Sequence, residues 1–219
     1  MSGNKLSQES LLEHIKQALD IENRKKDRKF KESIDFQVMF RDYNPEKEKR
    51  FNSTTQLNYK TKTNLNICVI GSVKHIDEAK EVNMPYIDLD GLKKFNNEAK
   101  AIKKFARKYD VLLVSDTIAK NVTKLVGKHL SSVRKLPIQV SENEKLVNKQ
   151  DELLKTIKFQ VKKYPWVAQS IGTVDLAPEE IQQNATKALN FLVSLLPKGW
   201  QNLKSVHIKT TMGKPVSIY

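Results

Sequence analysis

The chain opens on a helical period. Leu11, Leu12, Ile15, Ala18 and Leu19 recur at three- and four-residue steps, which gathers them on one face, and Ser7 stands where a side chain can cap the first turn. A solvated, mostly basic connector follows over 22–29. From Phe30 to Phe40 the period falls to two: Ile34, Phe36, Val38 and Phe40 alternate with more polar neighbours, as in a strand with one buried face. The turn residues Tyr43-Asn44-Pro45-Glu46-Lys47 lead to a weaker strand over Ser53–Leu57. These elements predict a two-stranded antiparallel unit beside a helix.

Near residue 65 the pattern changes. Leu65-Asn66-Ile67-Cys68-Val69-Ile70-Gly71 is a short apolar run ending in glycine, the pattern of a buried parallel strand. A helix over His75–Glu81 and a strand over Pro85–Leu89 follow. Asp90 is then placed to cap a long basic helix carrying Leu92, Phe95, Ala99, Ile102 and Phe105 inward. A strand over Asp110–Val114 and a helix over Thr117–Leu130 complete the alternation, which predicts a doubly wound α/β unit over 65–156. After Thr156 the hairpin style returns. Phe159 and Val161 alternate with Lys158, Gln160 and Lys162, and Trp166–Val174 is a further strand. Pro178 opens a helix with Ile181, Ala185, Ala188, Leu192 and Leu195 on one face, behind a weak cap at Ala177. Gly199 ends it, and Leu203–Thr211 is the last strand. The two ends share a style that the middle lacks. The expected fold is α/β in two domains: a discontinuous α+β domain (1–64 plus 157–219) and an inserted Rossmann-like, three-layer α/β/α domain (65–156).

Charge changes the picture from fold to partner. Lysine and arginine number 39 against 25 acids, a net charge of +14 with pI near 9.7, which calls for a polyanion: nucleic acid or an anionic membrane surface. Residues 158–219 are the most lopsided, with eight lysines against three acids, so the terminal domain is the better candidate for that contact. No run of about 18 apolar residues is present and no apolar signal segment follows Met1, so the reading is a soluble, intracellular chain with no membrane partner. The single cysteine, Cys68, excludes an internal disulfide and a cysteine zinc cluster, and within Ile67-Cys68-Val69-Ile70 it reads as a buried, inert thiol.

Chemistry is sparse. His14, His75, His129 and His207 show no ligand spacing, so no metal site is expected. Ile70-Gly71-Ser72 resembles the end of a nucleotide-binding strand, yet no Gly-x-Gly-x-x-Gly follows, and seven glycines leave little from which to build a phosphate loop. No cofactor is expected. Asp110 and Asp116 flank a strand end where catalytic carboxylates can sit, but helix capping is the plainer account of Asp116. No residue is assigned a catalytic role, and a nucleotide-dependent enzyme remains only as an alternative.

Two stretches carry a resemblance. Lys29-Phe30-Lys31-Glu32-Ser33-Ile34-Asp35 enters the first strand, and Ser205-Val206-His207-Ile208-Lys209-Thr210-Thr211-Met212-Gly213-Lys214-Pro215 closes the chain. With Phe191–Leu196, Trp200-Gln201-Asn202 and Asp77-Glu78-Ala79-Lys80, they resemble, end to end, the universal large-subunit ribosomal protein one family, the lateral-stalk proteins (L-ten-a in the eukaryotic type). The resemblance implies a terminal domain that grips the stalk of large-subunit ribosomal RNA beside the tRNA exit site. It further implies a part in releasing deacylated tRNA, other ribosomal components as neighbours, and a cytoplasmic protein assembled through the nucleolus. The RNA-binding residues it implies are Lys29, Phe30, Glu32, Ser205, Lys209, Thr210, Thr211, Met212, Gly213 and Lys214.

The chemistry of these residues suits that role. Gly213 lets RNA approach the backbone. Ser205, Thr210 and Thr211 offer hydroxyls to 2′-OH and phosphate oxygens. Ser205, Lys209 and Thr211, at odd positions, share a strand face. Met212 gives a polarizable apolar surface, Phe30 can stack, and Lys29 neutralises phosphate. Read from the residues alone, Phe30 and Met212 are equally core side chains, and the hydroxyls equally turn caps. Two stretches depart from the family pattern. Over 127–137 a turn-rich loop with proline and two glycines is replaced by residues able to extend the preceding helix, and Ser53 stands where glycine is usual, which leaves a bulge there open. A ribosome-assembly factor of the same fold is the other alternative; such relatives carry long charged extensions that this sequence lacks.

Overall fold

A computed structural model of the chain describes residues 7–20, 29–48, 50–95 and 98–219. In chain order the elements are helix α1 (Gln8–Leu19) and strands β1 (Ser33–Phe40), β2 (Asn52–Gln56) and β3 (Ile67–Ile70). Helix α2 (Val73–Glu81), strand β4 (Tyr86–Ile87), helices α3 (Leu89–Lys93) and α4 (Ala99–Lys108) and strand β5 (Val111–Ser115) follow. Then come helix α5 (Asp116–Val133), strand β6 (Ile138–Val140), helix α6 (Leu146–Lys155) and strands β7 (Thr156–Gln160) and β8 (Trp166–Thr173). Helix α7 (Pro178–Leu195), a 3-10 turn (Gly199–Asn202) and strands β9 (Leu203–Thr210) and β10 (Val216–Ser217) complete the chain. The basic connector read over 22–29 lies, apart from Lys29, outside the described residues. Two compact units result, Met1–Thr63 with Lys155–Tyr219, and Asn64–Leu154.

In the terminal unit, β10-β9-β1-β8 form one antiparallel sheet and β2-β7 a second, two-stranded one. Alternation along β1 buries Ile34, Phe36, Val38 and Phe40, and β9 adds Val206 and Ile208 beside them. This face packs against Leu11, Ile15 and Ala18 of α1 and Ile181, Ala185 and Leu192 of α7. Ser7 caps α1 as its position suggests, its side chain accepting the Ser10 N–H at 3.1 Å. Ala177 has no side-chain acceptor to offer α7; instead Glu180 reaches back and accepts the Ala177 N–H at 3.1 Å. Leu195 is only half-buried at the end of that helix.

The expected pairing of the first two strands is overturned. β1 lies between β8 and β9, while β2 pairs with β7, with Gln56 opposite Thr156. The segment after β1 is not a hairpin turn. Phe40 at the end of β1, Tyr43 and Phe51 at the entry to β2 stack edge to face with centroids 5.5–6.3 Å apart. Ser53 sits opposite Phe159 in an unshifted register, so β2 has no bulge there.

The middle unit holds a parallel sheet in the order β4-β3-β5-β6. Both faces are covered, which is why all four residues of β3 are buried. Cys68, Ile70, Leu112 and Val114 meet Leu92, Ile102, Ala119 and Val126 from α3, α4 and α5 on one side. Ile67, Val69 and Leu113 meet Ala79 of α2 and Leu146 of α6 on the other. Three layers follow, as in a Rossmann-like unit. The single long basic helix expected after Asp90 is instead two helices. Asp88, not Asp90, caps α3 by accepting the Leu89 N–H at 2.7 Å. A tight turn from the Phe95 N–H to the Leu92 carbonyl ends it, and α4 begins only at Ala99, behind Glu98. Helix α5 runs on to Val133, past the Leu130 expected, and stops at Arg134, whose φ is 61°.

Candidate nucleic-acid interface

The antiparallel register of β1 and β9 sets Ile34 opposite Thr210, so the start of one strand and the end of the other meet at the same end of the sheet. That brings together the two stretches that carry the family resemblance. The Thr211 amide donates to the Ser33 carbonyl at 3.0 Å, and the Ser33 amide donates to Thr211 Oγ1 at 3.0 Å. The two hydroxyl oxygens lie 3.0 Å apart, and Ser33 Oγ also reaches Asp35 at 3.2 Å. The Val174 amide, donating to the Glu32 carbonyl at 3.1 Å, ties the end of β8 to the same joint.

Around this joint, apolar side chains stand in solvent. Phe30 is 52% exposed and Met212 57% exposed, although each could serve a core by its chemistry. Lys29, Lys31 and Lys214 are exposed beside them in sequence. Lys31 is held by Asp175 at 2.7 Å, whereas Lys29 and Lys214 make no ion pair among the described residues.

Three of the expected contact residues lie behind the surface. Thr210 falls on the core side of β9, and its Oγ1 accepts the Gly213 amide at 3.1 Å. The Gly213 N–H also faces the Thr210 carbonyl at 3.2 Å, which closes a turn over 210–213 that leaves Met212 outside. Gly213 is buried and its φ is not positive, so the backbone conformation itself does not demand glycine. Glu32 is buried as well. Strand alternation puts even positions of β9 inward, and this is the physical reason Thr210 faces the core.

Ser205, His207 and Lys209 occupy the opposite, half-exposed face of β9, as their odd spacing requires. Lys209 pairs with Asp35, one step from the joint. Ser205 pairs with Met39 at the far end, six residues and about 20 Å from Thr211. The register also aligns residues the sequence reading passed over. Trp166, Met39 and Ser205 form one outward row, Ala168, Gln37 and His207 the next, and Ser170, Asp35 and Lys209 a third. The only signal for them in the sequence was the set of positions between the buried residues of β1.

Among the described residues no three of His, Cys, Asp and Glu come together in a way that could hold a metal ion, and no helix is long and apolar enough to cross a membrane. An open sheet face edged by lysines, with hydroxyls and bare apolar groups at one end of a strongly basic chain, defines a protein that engages a structured polyanion. The comparisons narrow this class: the chain belongs to the ribosomal protein L1p/L10e family, whose model matches residues 18–214. It is 40% identical over 216 residues to the large ribosomal subunit protein uL1 of Spodoptera frugiperda, covering 99% of each chain. The uL1 proteins of Caenorhabditis elegans and Oryza sativa subsp. japonica are 40% and 38% identical over 216 residues, covering 99% of this chain and all of theirs.

Proposed function

We propose that this protein is a structural constituent of the large ribosomal subunit, and that the β1–β9 end of its terminal unit grips the stalk of the ribosomal RNA. The observation that carries the assignment of the contact is the exposure of Phe30 and Met212 on either side of the Ser33–Thr211 joint. A fold with no partner gains nothing from leaving two such groups in water, and each full burial is worth about 1.5–3 kcal/mol. In this reading they pack on ribose and base, while Lys29, Lys209 and Lys214 meet phosphates and the Thr211 hydroxyl meets a 2′-OH group; Ser205, at the far end of β9, stands outside this contact. Because the joint is already hydrogen-bonded, little ordering is left to accompany binding. Thr210 and Gly213 act from behind, closing the turn that presents Met212, while the Glu32 carbonyl ties the entry of β1 to the end of β8.

The role is one of binding and shape, with no reaction at the site and no cofactor. On the ribosome the stalk contact lies beside the tRNA exit site, where the protein takes part in releasing deacylated tRNA; the protein works in the cytoplasm after assembly through the nucleolus. The names and near-full-length identity of its relatives support the place in the large ribosomal subunit, on which the finer reading rests. The test is binding to a stalk fragment of large-subunit ribosomal RNA in a salt series, against a non-cognate duplex. The wild type is expected to prefer the stalk fragment, and Met212→Ala and Phe30→Ala each to weaken it on the order of tenfold while melting normally. Equal affinity for both RNAs, with no effect of either substitution, would reduce binding to bulk charge and sink the assignment.

A further inference from the structure

We infer that the connection from β7 to β8 carries a second RNA contact, a stacking platform for unpaired nucleotides formed by Trp166 and Tyr164 beside three lysines. It adds to the reading above and rests on it only in taking RNA as the partner. The place is distinct. Trp166 opens β8 opposite Met39, at the end of the sheet away from the Ser33–Thr211 joint, roughly 20 Å off.

Three observations converge there. The first is the rings: Trp166 is 51% exposed and Tyr164 60% exposed, two residues apart where the connection from β7 enters β8. The tip is fixed, since the Trp166 amide donates to the Tyr164 carbonyl at 2.9 Å, and the Pro165 carbonyl between them accepts the Phe40 amide at 2.9 Å. The second is charge. Residues 153–174 contain four lysines and no acid, and Lys158, Lys162 and Lys163 make no ion pair among the described residues. Lys163 Nζ lies 5.9 Å from the Tyr164 ring centroid, near enough for a cation–π attraction. The third is shape: both rings and all three lysines line one concavity of about 560 Å³.

Bare aromatic faces, cations with no ion-pair partner among the described residues and a shared concavity are what a flexible single strand requires. Its bases have π faces that stack on any aromatic ring, and its phosphates supply the missing anions. On the adjoining sheet, Thr54 opposite Lys158 and Asn52 opposite Gln160 present uncharged polar groups that can hydrogen-bond sugars. A protein partner fits less well, because lysine is depleted in protein interfaces and here surrounds the rings.

The test uses the full chain and a 12-nucleotide oligoadenylate, read by tryptophan emission and by fluorescence anisotropy of labelled RNA. Oligoadenylate is expected to quench emission in the wild type and in Met212→Ala, and to leave Trp166→Ala unquenched. Affinity for it is expected to fall on the order of tenfold in Trp166→Ala and to be kept in Trp166→Phe, which retains a ring. A Lys162→Glu, Lys163→Glu double variant is expected to bind more weakly and with a shallower salt dependence. No quenching in the wild type, or equal affinity in Trp166→Ala and Trp166→Phe, overturns the proposal, and pull-down of a protein through Trp166 with RNA indifferent to it does so too. Failure of the stalk reading would show separately, as equal binding of stalk fragment and non-cognate duplex, a measurement independent of Trp166 emission.

Discussion

Thr210 and Met212 are two residues apart and serve opposite ends. Thr210 is buried and accepts the Gly213 amide, and Met212 rides outside on the turn that this bond closes. Thr210→Val keeps the shape and removes the acceptor, so it is expected to cost about 1 kcal/mol in urea unfolding. It should also weaken stalk RNA as a consequence of a looser turn, and a double variant with Met212→Ala should then bind little worse than Met212→Ala alone. Full additivity of the two effects would show that Thr210 acts independently of the turn. Cys68 gives a residue-scale prediction in the other unit. Burial pushes its thiol from an ordinary 9.0 up to about 12, against a smaller opposing pull from Lys108. A proton held more tightly by the folded state contributes stability that is fully present below pH 9 and is lost as pH rises from there toward 12. Wild-type stability should therefore fall more steeply over that window than that of Cys68→Ala, and parallel curves in denaturant titrations at pH 8 to 11 would refute the shift. The inert thiol was legible from Ile67-Cys68-Val69-Ile70, because a run of four apolar residues fits a strand buried on both faces. The inward turn of Thr210 is less legible, since Thr210 and Thr211 are alike in chemistry and only the alternation of β9 separates them.

Elements were legible where one period ran long enough to bury a face. Helices α1 and α7 and strands β1 and β9 stand close to where their apolar spacing put them, because α1 and α7 cover the sheet that β1 and β9 build. Partners were not legible in the same way. The pairing of β2 with β7 joins residues about a hundred apart, and nothing local in Asn52–Gln56 names Thr156–Gln160 as its neighbour. Short elements also escaped: β6 has three residues and α6 only ten, too few to impose a pattern on a charged stretch. One residue shows how such elements are fastened. Asn184 of α7 is fully buried, and its Oδ1 accepts the amides of Asn58 and Tyr59 at 3.2 and 3.1 Å. Its Nδ2 donates to the carbonyls of Ile171 at 3.0 Å and Tyr59 at 3.3 Å. A single side chain thus clamps the chain after β2 and strand β8 to the helix. Asn184→Leu is expected to cost about 3 kcal/mol by stranding several backbone groups at once. A loss below about 0.5 kcal/mol in chemical denaturation would mean that water replaces the amide without penalty.

At the scale of the molecule, the chain leaves the terminal unit and returns to it at neighbouring points. Gln56 and Thr156 are cross-strand partners, and the Leu57 amide donates to the Lys155 carbonyl at 2.9 Å. The residues just beyond still belong to the terminal unit, since Leu57 and Thr61 are buried and Asn58 and Tyr59 are held by Asn184. The middle unit has its own parallel sheet with a core on each face, and the terminal unit closes its own core around α1, α7 and the antiparallel sheet. Removing 64–154 and joining 63 to 155 through a short glycine-serine linker should therefore span a small gap at low entropic cost, because loop closure depends only weakly on length. We expect the joined protein to unfold in one cooperative transition and to bind the stalk fragment with the same sensitivity to Met212→Ala. Every residue placed at the RNA contact lies in the part retained. A joined protein that folds yet no longer distinguishes the stalk from a non-cognate duplex would move the determinants of recognition into the middle unit. One that fails to fold would show that the terminal core needs contacts from residues 64–154, and the independence argued from the two closed cores would fall.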